Sequence, residues 1–155
     1  MFGRLTAGEL PAGKSQYALE AELTRPSYST LSTQVRGRWE FQSSAQDTVL
    51  PLLGIRYQPR VDINNTVART PVTRFPVIVV PSGGATLPKL RSAKLQYSAD
   101  GKSWQDAVLR RAGEGRYVAT FPTPASGDSI SLKTTLIDAA GNSSELTTMD
   151  AYHLR

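Results

Sequence analysis

The sequence contains no cysteine among its 155 residues. This absence excludes a disulfide framework, a thiol nucleophile and any metal site with cysteine ligands. Histidine is scarce as well, since His153 is the only one and lies two residues from the end. A Ser-His-Asp triad needs a histidine that packing and a third group hold in place. We therefore expect His153 to be a surface or edge-strand residue, not a catalytic one.

Long apolar runs are also missing. The longest, residues 77–81, is far shorter than the roughly 20 residues that a membrane-spanning helix needs. Residues 1–13 lack the basic head and the apolar run of a signal peptide. We expect no membrane partner, and any export signal to lie upstream of Met1.

The chain is moderately basic, with 18 Lys and Arg against 13 Asp and Glu and a formal net charge of +5. Several basic residues alternate with apolar ones, as residues on the solvent face of strands do. Basic residues are scattered along the sequence and include Arg36, Arg38, Arg56, Arg60, Lys89, Arg91, Lys94, Arg110, Arg111 and Arg116. Because no nucleic-acid recognition motif accompanies them, we predict a solvated surface and no nucleic-acid partner.

What the sequence has in abundance is period-two alternation. In residues 130–136, Ile and Leu alternate with Ser, Lys and Thr, which is typical of a half-buried strand. Residues 138–142 then form a turn, because Asp bonds its own backbone and Gly and Asn tolerate positive φ. A second strand-like run over residues 145–154 completes a β-hairpin. No stretch of ten or more residues has helical periodicity, so we predict an all-β fold.

From residue 52 onward, about seven strands follow one another within about a hundred residues. This pitch predicts an antiparallel β-sandwich of immunoglobulin-like or fibronectin type III-like type over residues 49–155. Residues 1–48 are predicted as a separate N-terminal segment, either the end of an upstream β region or added strands. Within it, two alternating runs form a hairpin. We expect this hairpin to join the sandwich, since Trp39 and Phe41 need cover.

The acidic residues fall mostly in turns, so we predict no catalytic and no cofactor-binding residues. Calcium is the one ion worth naming, because Asp62 with Asn64, and Asp138 with Asn142, could offer oxygen ligands in loops. Neither stretch has the acidic density of an EF-hand loop, and turn formation explains both better.

Sugar recognition is an alternative that the aromatic residues leave open. Five aromatic residues fall on the apolar side of their alternating strands and should be buried: Trp39, Phe41, Tyr97, Tyr117 and Phe121. A carbohydrate site would then depend on Trp104 or on a loop tyrosine such as Tyr28.

Six segments carry a resemblance to a known family: WEFQSS (39–44), LPLLGIRY (50–57), VDINNT (61–66), KLQYSADGKSW (94–104), SLKTTLIDAAGN (131–142) and AYHL (151–154). In this order they resemble the C-terminal region of large secreted bacterial subtilisin-like serine peptidases, from about Tyr17 to the end. The subtilase catalytic motifs are all missing from this sequence, so no catalytic residue carries over.

The resemblance implies a secreted, extracellular protein whose hydrolase activity resides in an upstream catalytic domain of the same polypeptide. This chain would be its non-catalytic accessory domain: a spacer, a folding aid, or a surface that docks protein substrate or cell-wall polymer. The alternatives are a carbohydrate- or cell-wall-binding module of another secreted enzyme and, third, a small hydrolase.

Overall fold

The computed structural model describes residues 12–155, and these form ten β-strands without a helix. The strands are β1 (Ser15–Thr24), β2 (Gln34–Ser43), β3 (Leu53–Tyr57), β4 (Thr66–Val67), β5 (Val72–Pro81), β6 (Leu90–Ser98), β7 (Gln105–Gly113), β8 (Arg116–Pro122), β9 (Ser129–Asp138) and β10 (Ser143–Leu154). The prediction of an all-β fold is confirmed. Within residues 12–155, no helix is long and apolar enough to span a membrane.

All the strands belong to one curled sheet with the order β1-β2-β10-β9-β6-β7-β8-β5-β3. Every neighbouring pair along this path is antiparallel, while the short β4 lies beside β10 in parallel. The curl is made at β7. This strand pairs with β6 over residues 105–107 and with β8 over residues 108–113.

The curl brings β3, β5 and β8 over the inner side of β6, β9 and β10. Phe75 of β5 makes edge-to-face contacts with Phe121 and Tyr152, with ring centroids 6.1 Å apart in each case. Tyr57 of β3 packs edge-on against Phe75 and bonds the hydroxyl of Thr134 in β9 at 2.7 Å. Such aromatic pairs contribute beyond the area that they bury.

Alternation places the residues of the inner face as expected. Leu95, Ile130 and Leu132 are completely buried. Among the five rings predicted to be inside, Phe41, Tyr97 and Phe121 are buried, whereas Trp39 and Tyr117 are only partly so.

The N-terminal hairpin consists of β1 and β2, paired in register from Ser15↔Ser43 to Thr24↔Gln34. Strand β2 also pairs with β10 over residues 143–149, so the hairpin extends the same sheet. The first 11 residues of the predicted N-terminal segment lie outside the described part, and its separation at residue 48 stays a prediction.

Trp39 connects this hairpin to the opposite half of the sheet. Its indole Nε1 donates a hydrogen bond of 2.8 Å to the carbonyl oxygen of Leu53 in β3. The ring lies across Gly37, where an added Cβ would be 2.1 Å from the nearest ring carbon. A glycine at position 37 is therefore what allows Trp39 to reach β3.

We expect Gly37→Ala to destabilise the protein by about 1–3 kcal/mol, because the new methyl group displaces the Trp39 ring. The displacement would also break the bond to Leu53. Urea unfolding measures the loss, and tryptophan fluorescence in a Trp104→Phe background reports the environment of Trp39.

Gly54→Ala is the matched control, since a Cβ there meets only the carbonyl oxygen of Val80 at 3.6 Å. If the two variants are equally stable, the proposed role of Gly37 is wrong.

Candidate functional site

The first calcium candidate, Asp62, closes the turn between β3 and β4. Its Oδ1 accepts hydrogen bonds from the backbone N–H groups of Asn64 and Thr66, and its Oδ2 accepts one from the Thr66 hydroxyl at 2.7 Å. Arg155 also pairs with Oδ2 at 3.0 Å. These interactions, the Thr66 hydroxyl first, hold the pKa of Asp62 below its ordinary value.

The second candidate, Asp138, is buried at the turn between β9 and β10. Its two carboxylate oxygens accept hydrogen bonds from the backbone N–H and the side-chain amide of Asn142, at 2.9 and 2.8 Å. The amide oxygen of Asn142 in turn accepts a bond of 3.1 Å from the backbone N–H of Gln42 in β2. The turn thereby ties the terminal hairpin to the N-terminal one.

Both turns thus use the predicted calcium ligands for hydrogen bonds. Asn64 offers its backbone N–H to Asp62, while Asn142 presents its amide donor, not its oxygen, to Asp138. In residues 12–155, no three His, Asp or Glu side chains are grouped as metal ligands would be. Calcium at either turn would have to displace this bonding.

We expect calcium to leave the thermal stability unchanged. A ligand that binds only the folded state raises the melting temperature. Scans with about 5 mM calcium and with excess EDTA should therefore agree to within about 1 °C. A drop in EDTA that Asp138→Asn abolishes would instead establish a calcium site at that turn.

Asp100 stabilises the hairpin between β6 and β7, where an Asp-Gly pair predicts a tight turn. Its Oδ1 accepts hydrogen bonds from the Ser98 hydroxyl and from the backbone N–H groups of Lys102 and Ser103, at 2.7–2.8 Å. Gly101 has the positive φ of 70° that such a turn requires. The backbone bonds, that of Ser103 first, hold the pKa of Asp100 far below its ordinary value of 3.8.

This lowered pKa predicts acid sensitivity. The ionised carboxylate stabilises the fold above about pH 4, and this contribution is lost as the pH falls toward the folded-state pKa. Asp100→Asn should therefore lower the melting temperature at pH 7 but flatten its decline below about pH 4. Melting curves measured from pH 7 down to about pH 2 check this, and parallel declines for the two proteins would contradict it.

His153 lies inside the sheet, paired on one side with β9 and on the other with β4. His153 is therefore partly exposed, as expected of a surface residue. It does not lie in an edge strand, which was the other expectation. Its ring Nδ1 is 3.2 Å from the backbone carbonyl oxygen of Asp128. Among the described residues, its ring bonds to this group alone.

The outward side of β1 and β2 carries a row of ion pairs, which we call the paired face (Glu20, Glu22, Arg36, Arg38 and Glu40). Arg38 lies between Glu20 and Glu40, at 2.8 and 2.6 Å, and Arg36 pairs with Glu22 at 3.1 Å. Its positive charges are neutralised within the chain.

The structure does not bring together Trp104 and Tyr28, the two residues on which a carbohydrate site was predicted to depend. Trp104 is partly buried, and Lys133 Nζ lies 4.5 Å from the centre of its ring. Tyr28 is 86% exposed in the connection between β1 and β2. It does not line the depression around Trp104, which Lys133 and Met149 border.

Sequence reasoning missed a second surface, on the outward side of β3, β5, β7 and β8. We call it the arginine face, and it consists of Arg56, Val72, Arg74, Val108, Arg110, Arg116 and Val118. The register sets these side chains in adjacent rows, with Arg56 and Arg116 on either side of Ile78, and Arg110 beside Val118. In the sequence these arginines look scattered, and only the pairing order brings them together.

The sequence matches no protein-family model, and a search of curated proteins gives no significant match. The resemblance to subtilisin-like peptidases therefore remains an expectation drawn from the motifs.

Proposed function

We propose that this chain is a non-catalytic accessory domain of a secreted subtilisin-like serine peptidase, and that it serves as a docking surface. The observation that carries the docking role is the arginine face, an exposed set of cations for which the described residues form no ion pair. The motif resemblance supplies the context of a secreted peptidase with its catalytic domain upstream.

The arrangement of strands supports an immunoglobulin-like or fibronectin type III-like sandwich for residues 49–155. Strands β3, β5, β8 and β7 follow one another in one half of the sheet, and β6, β9 and β10 in the other. If β4 is left out and the other seven are lettered A to G, these two rows follow the same order as the ABED and CFG sheets of the immunoglobulin fold. The pairing of β7 with β6 joins the two halves at one edge.

The use of the acidic side chains supports an accessory role. Asp62, Asp100 and Asp138 accept the hydrogen bonds that shape three turns. General acid–base chemistry needs a carboxyl group that faces a substrate with its pKa near the working pH. In Asp62 and Asp100 the pKa is instead lowered by bonds within the turn.

The proposal predicts that the purified chain neither cleaves protein nor binds glycan. Fluorescein-labelled casein should stay intact beside a subtilisin control, and pull-downs on insoluble peptidoglycan, chitin and cellulose should leave the chain in the supernatant. The coding DNA upstream of Met1 should encode the subtilase catalytic motifs.

Casein cleavage that a serine-directed inhibitor abolishes would overturn the accessory role. Retention on a glycan that Trp104→Ala abolishes would favour the alternative, a carbohydrate- or cell-wall-binding module. An upstream domain of another class would separate the chain from the peptidases.

A further inference from the structure

We infer that the arginine face docks a protein surface on which Asp or Glu side chains stand among aliphatic ones. This inference rests on the proposed docking function and names its partner. It follows from the charge, the apolar residues and the kinds of side chain on this face.

The charge of the arginine face is of one sign. Strands β3, β5 and β8 contain no Asp or Glu. The one acidic residue of β7, Asp106, lies in the part that pairs with β6, where it forms an ion pair with Lys94 at 3.1 Å. Four exposed guanidinium groups therefore project from one side of the sheet without a counter-ion among residues 12–155.

The paired face provides an internal comparison. There, Arg36 and Arg38 occupy similar outward positions on strands, but glutamates on the same or the neighbouring strand neutralise them. Since the same sheet neutralises one set of arginines and leaves another without partners, general basicity does not explain the arginine face. An external partner can supply the missing negative charge.

The arginine face is also apolar. Val72 and Val108 are 53% and 55% exposed. Val118 is half-buried and lies opposite Arg110 in the neighbouring strand. Together with Arg74 and Arg110, the three valines border a shallow depression of about 580 Å³. Exposed valines gain free energy only against another apolar surface, and phosphate or sulfate groups do not offer one.

The residue types favour a protein over other polyanions. Strands β3, β5, β7 and β8 contain no Lys, and their aromatic side chains point to the inner side of the sheet. Single-stranded nucleic acids are held by stacking on exposed aromatic rings, which this face does not present. Protein interfaces are instead enriched in Arg and depleted in Lys. The guanidinium group also matches the carboxylate, since two parallel N–H···O bonds can form.

The test measures binding of labelled polymers to the chain by fluorescence anisotropy. The probes are a random copolymer of glutamate and alanine, polyglutamate and inorganic polyphosphate, each at about 50 mM and about 500 mM salt. We expect the copolymer to bind more tightly than polyglutamate of equal charge, because its methyl groups meet the valines. High salt should weaken the binding by screening the charges.

Two double variants and a matched control locate the site. Arg74→Gln with Arg110→Gln should weaken copolymer binding roughly tenfold, and Val72→Thr with Val108→Thr should weaken it about threefold. Arg36→Gln with Arg38→Gln removes the same charge from the paired face and should change it less than about twofold. All these residues lie on the outside of strands, and thermal melts check that each variant is folded.

Each other outcome overturns the inference. Equal weakening by the control would mean attraction to net charge. Tighter binding of polyphosphate, unaffected by the threonine variants, would make the face a site for phosphate polymers. Failure of every probe to bind would mean that the face does not dock acidic protein. These results are independent of the casein and glycan assays, so the partner and the accessory role can fail separately.

Discussion

The change of partner along β7 is the constraint on which the rest of the structure depends. Because this strand leaves β6 after residue 107 and continues beside β8, one antiparallel sheet bends back over itself. The bend lets Phe75 meet Tyr152 across the interior, and it lets Tyr57 bond Thr134. In a flat sheet of these strands, the aromatic side chains of the inner face would stay exposed to water. The lost stabilisation would be about 25 cal/mol for each Å² of apolar surface left unburied.

The same bend sorts the charged residues. Alternation sends one residue in two to the outside, and the pairing order decides which outward residues become neighbours. At the β1–β2 end, register places Glu20 opposite Arg38 and Glu22 opposite Arg36. At the other end, β3, β5 and β8 contain no acidic residue with which to repeat this pattern, and Asp106 of β7 pairs with Lys94 of β6. The arginines are thus neutralised on the paired face, whereas those of the arginine face have no ion-pair partner among residues 12–155.

Much of the fold could be predicted from the sequence, because alternation and turn chemistry are local. The terminal hairpin, the alternating run of β2 and the Asp100-Gly101 turn all lie where these signals placed them. The two-residue β4, which follows the loop predicted at Asp62 and Asn64, had no signal in the sequence. Two residues carry no periodicity, and these are ordered by their pairing with β10. The position of His153 between two strands was missed for the same reason.

The candidate site was out of reach of local reasoning. Arg56 and Arg116 are sixty positions apart, yet both flank Ile78 because β5 lies between β3 and β8. Parity alone predicts that each of them faces solvent, which is why the sequence suggested a dispersed, hydrated charge. The absence of Asp and Glu from β3, β5 and β8 is visible in the sequence. It produces a surface of one charge only because these strands are neighbours in the sheet. A surface of one sign with exposed valines among its cations is then a consequence of sheet order, and this is the surface that we propose as the docking site.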